Sequence, residues 1–161
     1  MEEKQDKKKL SEIYETYKKK FNLPEYENLI EDFEVDKVDS EDEKFLVRNC
    51  RRVIGEKINA YLHFFEVLIN PSSPPVYIYT FLKNLDEKSK NSIKEIYKLL
   101  SKTQVKLMQL DTIYNEKLEA EFISKFFKDW QNSKKEIYEI MKSLENSFEN
   151  NSEIGKRSYL G

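Results

Sequence analysis

The feature that most constrains the fold is a long apolar stripe between Ser40 and Asn70. Its members recur every three or four residues, which keeps their side chains on one face of an α-helix. They are Leu46, Cys50, Val53, Ile54, Ile58, Tyr61, Leu62, Phe65 and Leu68. The spacing predicts one long central helix, of roughly 30 residues and about 45 Å at the rise of an α-helix.

Stripes of the same spacing mark the other helices, around residues 10–21, 24–33, 76–82, 86–110, 118–130 and 137–148. The segment Val76–Leu82 has the composition of a strand, but the chain offers no second strand to pair with it. We therefore predict an all-α fold, a single-domain helical bundle of about six or seven helices with a long central helix. Residues 1–149 are predicted to form that domain, and the polar residues 150–161 a flexible C-terminal tail.

Capping signals refine three of the helix starts. Ser40 with Glu43, and Ser133 with Glu136, have the spacing of a capping box, in which each side chain bonds the other residue's backbone amide. The second box also predicts that the preceding helix ends near Ser133. Asp86 is placed to cap the helix that follows it.

The composition excludes several classes of site. Only three of the 161 residues are glycine, so Gly-rich phosphate-binding loops are absent and few positions favour a positive φ. Cys50 is the single cysteine and His63 the single histidine, which excludes an internal disulfide and a Cys/His set for structural zinc. The sequence has no apolar run of bilayer length and no export signal, so we expect a cytoplasmic protein with no membrane partner.

Charge is strongly segregated between two neighbouring segments. Residues 25–43 hold ten acids and one lysine, whereas residues 44–63 hold five bases and one acid. In one interpretation the acidic connector folds against the basic start of the central helix, with each exposed pair adding about 0–1 kcal/mol. In the other, the acidic segment is a surface that meets a basic partner or repels nucleic acid.

The most specific chemical feature is an arginine cluster formed by Arg48, Arg51 and Arg52. The chain has 24 lysines and four arginines, yet three of those arginines fall within five positions of one helix. Arginine pairs bidentately with carboxylate or phosphate, which lysine does not. The cluster therefore either locks onto the acidic connector or Glu56, or forms a binding site for phosphate, nucleic acid or an acidic partner.

An aromatic stripe marks the helix near residue 125. Phe122, Phe126, Phe127 and Trp130 are spaced to line a core, but Phe126 and Phe127 point about 100° apart. The apolar arc is therefore wide, and we predict either core alone or core with an interface formed by Phe126, Phe127 and Trp130.

No catalytic constellation emerges from the remaining candidates. Cys50 and His63 lie thirteen residues apart on the predicted central helix, or about 20 Å, well beyond hydrogen-bond reach. The pairs Glu116/Glu119 and Glu136/Glu139 share helix faces, but such spacings are common in an acidic chain, and no metal site or cofactor is predicted. Pro74-Pro75-Val76-Tyr77 matches a motif bound by WW domains, although helix initiation explains it better.

Three segments carry a resemblance to a known group. Phe21-Asn22-Leu23-Pro24, the stretch Phe45–Arg52 and Phe122-Ile123 with Trp130 together resemble small all-helical archaeal proteins that have no assigned activity. The resemblance spans about residues 12–148 and implies an archaeal source and an all-helical fold. It implies no substrate and no catalytic residue.

From the sequence we expect a non-enzymatic helical protein–protein interaction module, with a protein partner or a second copy of the chain as its ligand. The alternative is a nucleic-acid or phosphate-ligand binding protein that uses Arg48, Arg51 and Arg52. A committed nucleic-acid binder is expected to have a basic footprint, whereas this chain has a net charge of −2 and a pI of about 5.7.

Overall fold

The computed structural model describes residues 2–38, 43–72 and 76–158, and the side chains of 10–38, 43–72 and 78–147. These segments contain six α-helices and no strand: α1 (Glu2–Phe21), α2 (Tyr26–Phe33), α3 (Leu46–Ile69), α4 (Val76–Asn84), α5 (Glu87–Thr112) and α6 (Glu116–Ser158). Two short 3-10 helices, Val35–Lys37 and Glu43–Phe45, precede α3. The all-α fold with a long helix in this part of the chain is thereby confirmed, although α3 has 24 residues rather than the roughly 30 predicted.

The helix break after Phe21 forms where the sequence predicts it. Asn22 takes a left-handed conformation with φ of 54°, which asparagine tolerates better than most residues, and this ends α1. The amide of Leu23 then donates to the carbonyl of Lys18 at 3.3 Å. The hydroxyl of Tyr14 donates to the carbonyl of Pro24 at 2.9 Å and ties the turn back onto α1.

Two of the three capping signals have a clear outcome. The Asp86 carboxylate accepts a hydrogen bond from the amide of Ser89 at 2.7 Å, which confirms the predicted cap of α5. The prediction of a helix end near Ser133 is wrong, because α6 continues through it. Ile137 lies seven residues after Trp130, so the apolar stripe stays in phase across the polar residues between them. Ser40 of the first box lies outside the described residues, while its partner Glu43 begins a 3-10 helix and α3 itself begins at Leu46, later than predicted.

The chain divides into two compact units, and α3, α5 and α6 each contribute to both. Unit 1 contains Met1–Ala60 and Lys102–Trp130, and unit 2 contains Tyr61–Ser101 and Gln131–Gly161. The single-domain organisation and the flexible tail remain predictions, although the α6 backbone extends to Ser158.

Each unit has its own apolar interior, built from the predicted stripes. The buried side chains of unit 2 are Phe65, Leu68, Ile78, Phe81, Ile93, Ile96, Leu100, Ile137, Ile140 and Leu144. In unit 1 the core includes Leu10, Tyr14, Leu29, Phe33, Leu46, Cys50, Ile54, Ile58, Leu107, Ile123, Phe126 and Trp130. No helix of the described residues is both long enough and apolar enough to span a membrane.

The core of unit 1 holds three buried weak acids, which we expect to make stability fall at alkaline pH. Burial raises the pKa of the Cys50 thiol to about 12 and also raises the pKa values of Tyr14 and Tyr26. In the unfolded chain these groups ionise near their ordinary values, about 8.5 for cysteine and about 10 for tyrosine. Above about pH 8.5 the unfolded state therefore binds fewer protons, so the stabilisation present below that pH is lost as pH rises toward the folded values.

The measurement is the urea unfolding midpoint between about pH 8 and pH 11. Tyr26→Phe is the informative variant because the Tyr26 hydroxyl is buried without a hydrogen-bond partner. This variant should be at least as stable as the wild type and should show a shallower alkaline decline. A flat wild-type profile, or an unchanged slope in Tyr26→Phe, would contradict the assignment.

Candidate binding groove

The arginine cluster lies in an open groove of about 490 Å³ on unit 1, between α3 and α5. From α3 the groove is lined by Arg48, Arg51, Arg52, Gly55, Glu56 and Asn59, and from α5 by Gln104, Leu107 and Asp111. The α3 residues are spaced so that Arg48, Arg52 and Glu56 follow one another turn by turn. We refer to this surface as the arginine groove.

Gly55 of α3 faces Leu107 of α5 within the groove lining. A Cβ atom added at this position would lie 3.4 Å from one terminal methyl of Leu107 and 3.6 Å from the other. An alanine at this position would therefore meet the buried Leu107 side chain at ordinary contact distance.

Arg51 is held in place by two carboxylates and is only 3% exposed. Its Nε donates to Glu119 Oε2 at 2.6 Å, and its Nη2 donates to Asp111 Oδ1 at 2.7 Å. Glu119 is itself fully buried on α6, whereas the Asp111 side chain is 55% exposed at the end of α5. A buried charge without a partner is costly in free energy. These hydrogen bonds offset the cost of burying both Arg51 and Glu119.

Arg48 shares the same carboxylate but is bound less tightly. Its Nε lies 3.5 Å from Glu119 Oε1, and neither of these buried atoms has a hydrogen-bond partner. The guanidinium carbon lies 5.1 Å from the ring centroid of Tyr114, within the range of a cation–π contact. Arg48 is therefore positioned by Glu119 and Tyr114 while its side chain remains 18% exposed.

Arg52 differs from the other two arginines because its side chain is exposed and unpaired. It makes no ion pair or hydrogen bond with any described residue, and neither does Glu56 one turn further along α3. Across the groove, Gln104 holds its side-chain oxygen buried without a hydrogen-bond partner. The groove thus presents the exposed Arg52 guanidinium and the exposed Glu56 carboxylate, whose charge also acts on Lys37.

Arg51 is held by carboxylates, but not by the predicted ones, which were those of the acidic connector or Glu56. Within the described residues no arginine of the cluster pairs with Glu56, and the carboxylates that hold Arg51 come from α5 and α6. Sequence reasoning missed Glu119 as the buried partner because the apolar stripe predicted over residues 118–130 begins with Leu118. Leu118 is in fact 40% exposed. Helical periodicity could have identified Glu119, because it lies seven residues, about two helical turns, before Phe126 and therefore on the same face of the helix.

The aromatic candidates lie mainly inside unit 1. Phe126 and Trp130 are 2% and 6% exposed, and the Phe33 ring centroid lies 5.9 Å and 5.5 Å from theirs. Phe33 of α2 therefore packs against both rings. Of the residues predicted as an interface, Phe127 alone is half-buried, so it is the one left with surface to offer a partner.

The other candidates are not brought into a common site. Cys50 is buried in unit 1. Because α3 is unbroken from Leu46 to Ile69, Cys50 and His63 lie thirteen residues apart on one helix and are too distant to form a pair. His63 is exposed in unit 2, with Nδ1 3.7 Å from Glu66. Among the described residues no group of three or more His, Cys, Asp and Glu side chains could hold a metal ion. Pro74 and Pro75 lie outside the described residues.

No family model, no curated protein and no solved structure matches this chain. The resemblance to small archaeal helical proteins therefore remains a prediction.

Proposed function

We propose that this protein is a non-enzymatic binding module that holds a carboxylate-bearing segment of a partner protein in the arginine groove. The observation that carries the proposal is the combination of a fixed Arg51 with a free Arg52 in one open groove. Arg51 is locked to Glu119 and Asp111, so the neighbouring turn of α3 is held rigidly. Arg52, the next residue of α3, is exposed and has no partner among the described residues, so its guanidinium is available to an incoming carboxylate.

The charge pattern favours a polypeptide over a nucleic acid. The three guanidinium groups are balanced by the carboxylates of Glu56, Asp111 and Glu119, and two of these line the groove. A phosphate backbone carries a negative charge at every step and would meet Glu56 and Asp111 as well as Arg52. A polypeptide can place a single carboxylate against Arg52 and neutral groups elsewhere.

The lining also differs from that of a small-molecule pocket. Such pockets are lined mainly by apolar and aromatic side chains, with few polar groups. Here Leu107 is the one large apolar side chain among nine lining residues. Arginine is enriched at protein interfaces, where it often dominates the binding energy. The proposal retains the cytoplasmic setting expected from the sequence, in which a single free thiol is common.

The test is an array of immobilised peptides in which each Asp- or Glu-containing sequence has a copy with Asn or Gln at those positions. We expect carboxylate-bearing peptides to retain the wild-type protein. The Arg52→Gln variant should bind these peptides with about tenfold lower affinity. Lys117→Gln is the matched control, because it removes one charge from an exposed position of unit 1 outside the groove. Retention independent of the carboxylates, or equal loss in both variants, would contradict the proposal.

A labelled single-stranded oligonucleotide tests the alternative function in parallel. At about 50 mM salt, a nucleic-acid binder would show affinity that falls as salt is added. We expect the protein not to bind the oligonucleotide. Oligonucleotide binding that depends on Arg52 would replace the proposed function with the alternative one.

A further inference from the structure

An apolar strip borders the arginine groove on the exposed side of α5. Val105 is 57% exposed and Met108 is 61% exposed, although both belong to a helix whose other face is buried. Met108 lies four residues after Gln104 and three before Asp111, and both of these line the groove. Side chains at these spacings are neighbours on a helix surface, so the strip is continuous with the α5 wall of the groove.

The two surfaces suit different parts of one ligand. Arg52 is an exposed cation without a partner among the described residues, so it is available to a carboxylate. The exposed side chains of Val105 and Met108 are available to apolar groups of the same ligand. Methionine adapts its shape to varied apolar partners, which is why it is frequent on peptide-binding surfaces.

We propose that the arginine groove and this strip together receive an amphipathic helix of a partner protein. A carboxylate of that helix pairs with Arg52, and apolar side chains one turn away cover Val105 and Met108. This inference rests on the proposed function and adds the kind of segment that is recognised. Such helix-in-groove binding uses anchors at three- and four-residue spacing, and two long helices such as α3 and α5 form its walls.

The experiment is selection from phage displaying random peptides of about 16 residues, roughly four helical turns. The intact protein is the bait, and the selected peptides are then measured against four variants. Arg52→Gln and Met108→Gln change the two anchors, while Lys117→Gln and Leu118→Gln are matched controls at exposed positions of α6 outside the groove. Circular dichroism and the urea midpoint check that each variant is folded.

We expect the selected peptides to combine a carboxylate with apolar residues three or four positions away. Their affinity should fall about tenfold in Arg52→Gln and in Met108→Gln, and should be unchanged in both controls. Selected acidic peptides that bind Met108→Gln as well as the wild type would overturn this inference and leave the proposed function intact. Peptides insensitive to Arg52→Gln, or no enrichment at all, would overturn both.

Discussion

Replacing Glu119 with alanine is expected to lower the free energy of unfolding by about 3–5 kcal/mol, the usual cost of removing one partner from a buried ion pair. Glu119 is fully buried, and it accepts the 2.6 Å hydrogen bond from Arg51, which is itself 3% exposed. Without Glu119, the Arg51 guanidinium keeps only the Asp111 bond, and Arg48 loses the carboxylate 3.5 Å from its Nε. The measurement is equilibrium urea unfolding of the full chain.

Two comparisons separate the ion pair from the general loss of a side chain. Glu121→Ala removes an exposed carboxylate from the same helix and should cost less than about 1 kcal/mol, because exposed pairs contribute little. The double variant Arg51→Leu with Glu119→Leu should recover part of the loss, because both charges of the most deeply buried pair are removed together and only Arg48, whose side chain is 18% exposed, still loses its carboxylate. If Glu119→Ala lowers the free energy of unfolding as little as Glu121→Ala does, the assignment of Arg51 and Glu119 to a buried ion pair would be wrong.

Replacing Phe126 with alanine is expected to lower the free energy of unfolding by about 3–5 kcal/mol. The substitution leaves a cavity among buried aromatic rings. Phe126 is 2% exposed and lies 5.9 Å from the Phe33 ring and 6.2 Å from the Trp130 ring. Urea unfolding monitored by tryptophan fluorescence reports on this cluster directly, since the chain has a single tryptophan.

Phe127→Ala is the matched control, one position further along α6. Its side chain is half-buried, so the loss should be roughly 1 kcal/mol. If the two substitutions cost the same, the assignment of Phe126 to the core and Phe127 to the surface would be wrong. If Phe127→Ala lowers the oligomeric state in solution without changing stability, Phe127 belongs to an interface, which is one of the two alternatives predicted from the sequence.

The amino-acid sequence by itself determined the local structure of this protein. The stripe from Leu46 to Leu68 specified α3, Asn22 stopped α1, and Asp86 capped α5. Each of these depends on residues a few positions apart, so periodicity and capping chemistry are enough to read them. The same local rules failed at Ser133, where an apolar stripe in phase on both sides outweighed a capping signal.

Only the tertiary structure decided which groups meet. Arg51 is separated from Asp111 by 60 residues and from Glu119 by 68, and no local pattern selects those two carboxylates from the chain's 30 acids. The sequence could show that three arginines share one helix face. Burial of Glu119 against that face, by the packing of unit 1, is what fixes Arg51 and leaves Arg52 free, because a buried carboxylate takes the nearest guanidinium that can satisfy it.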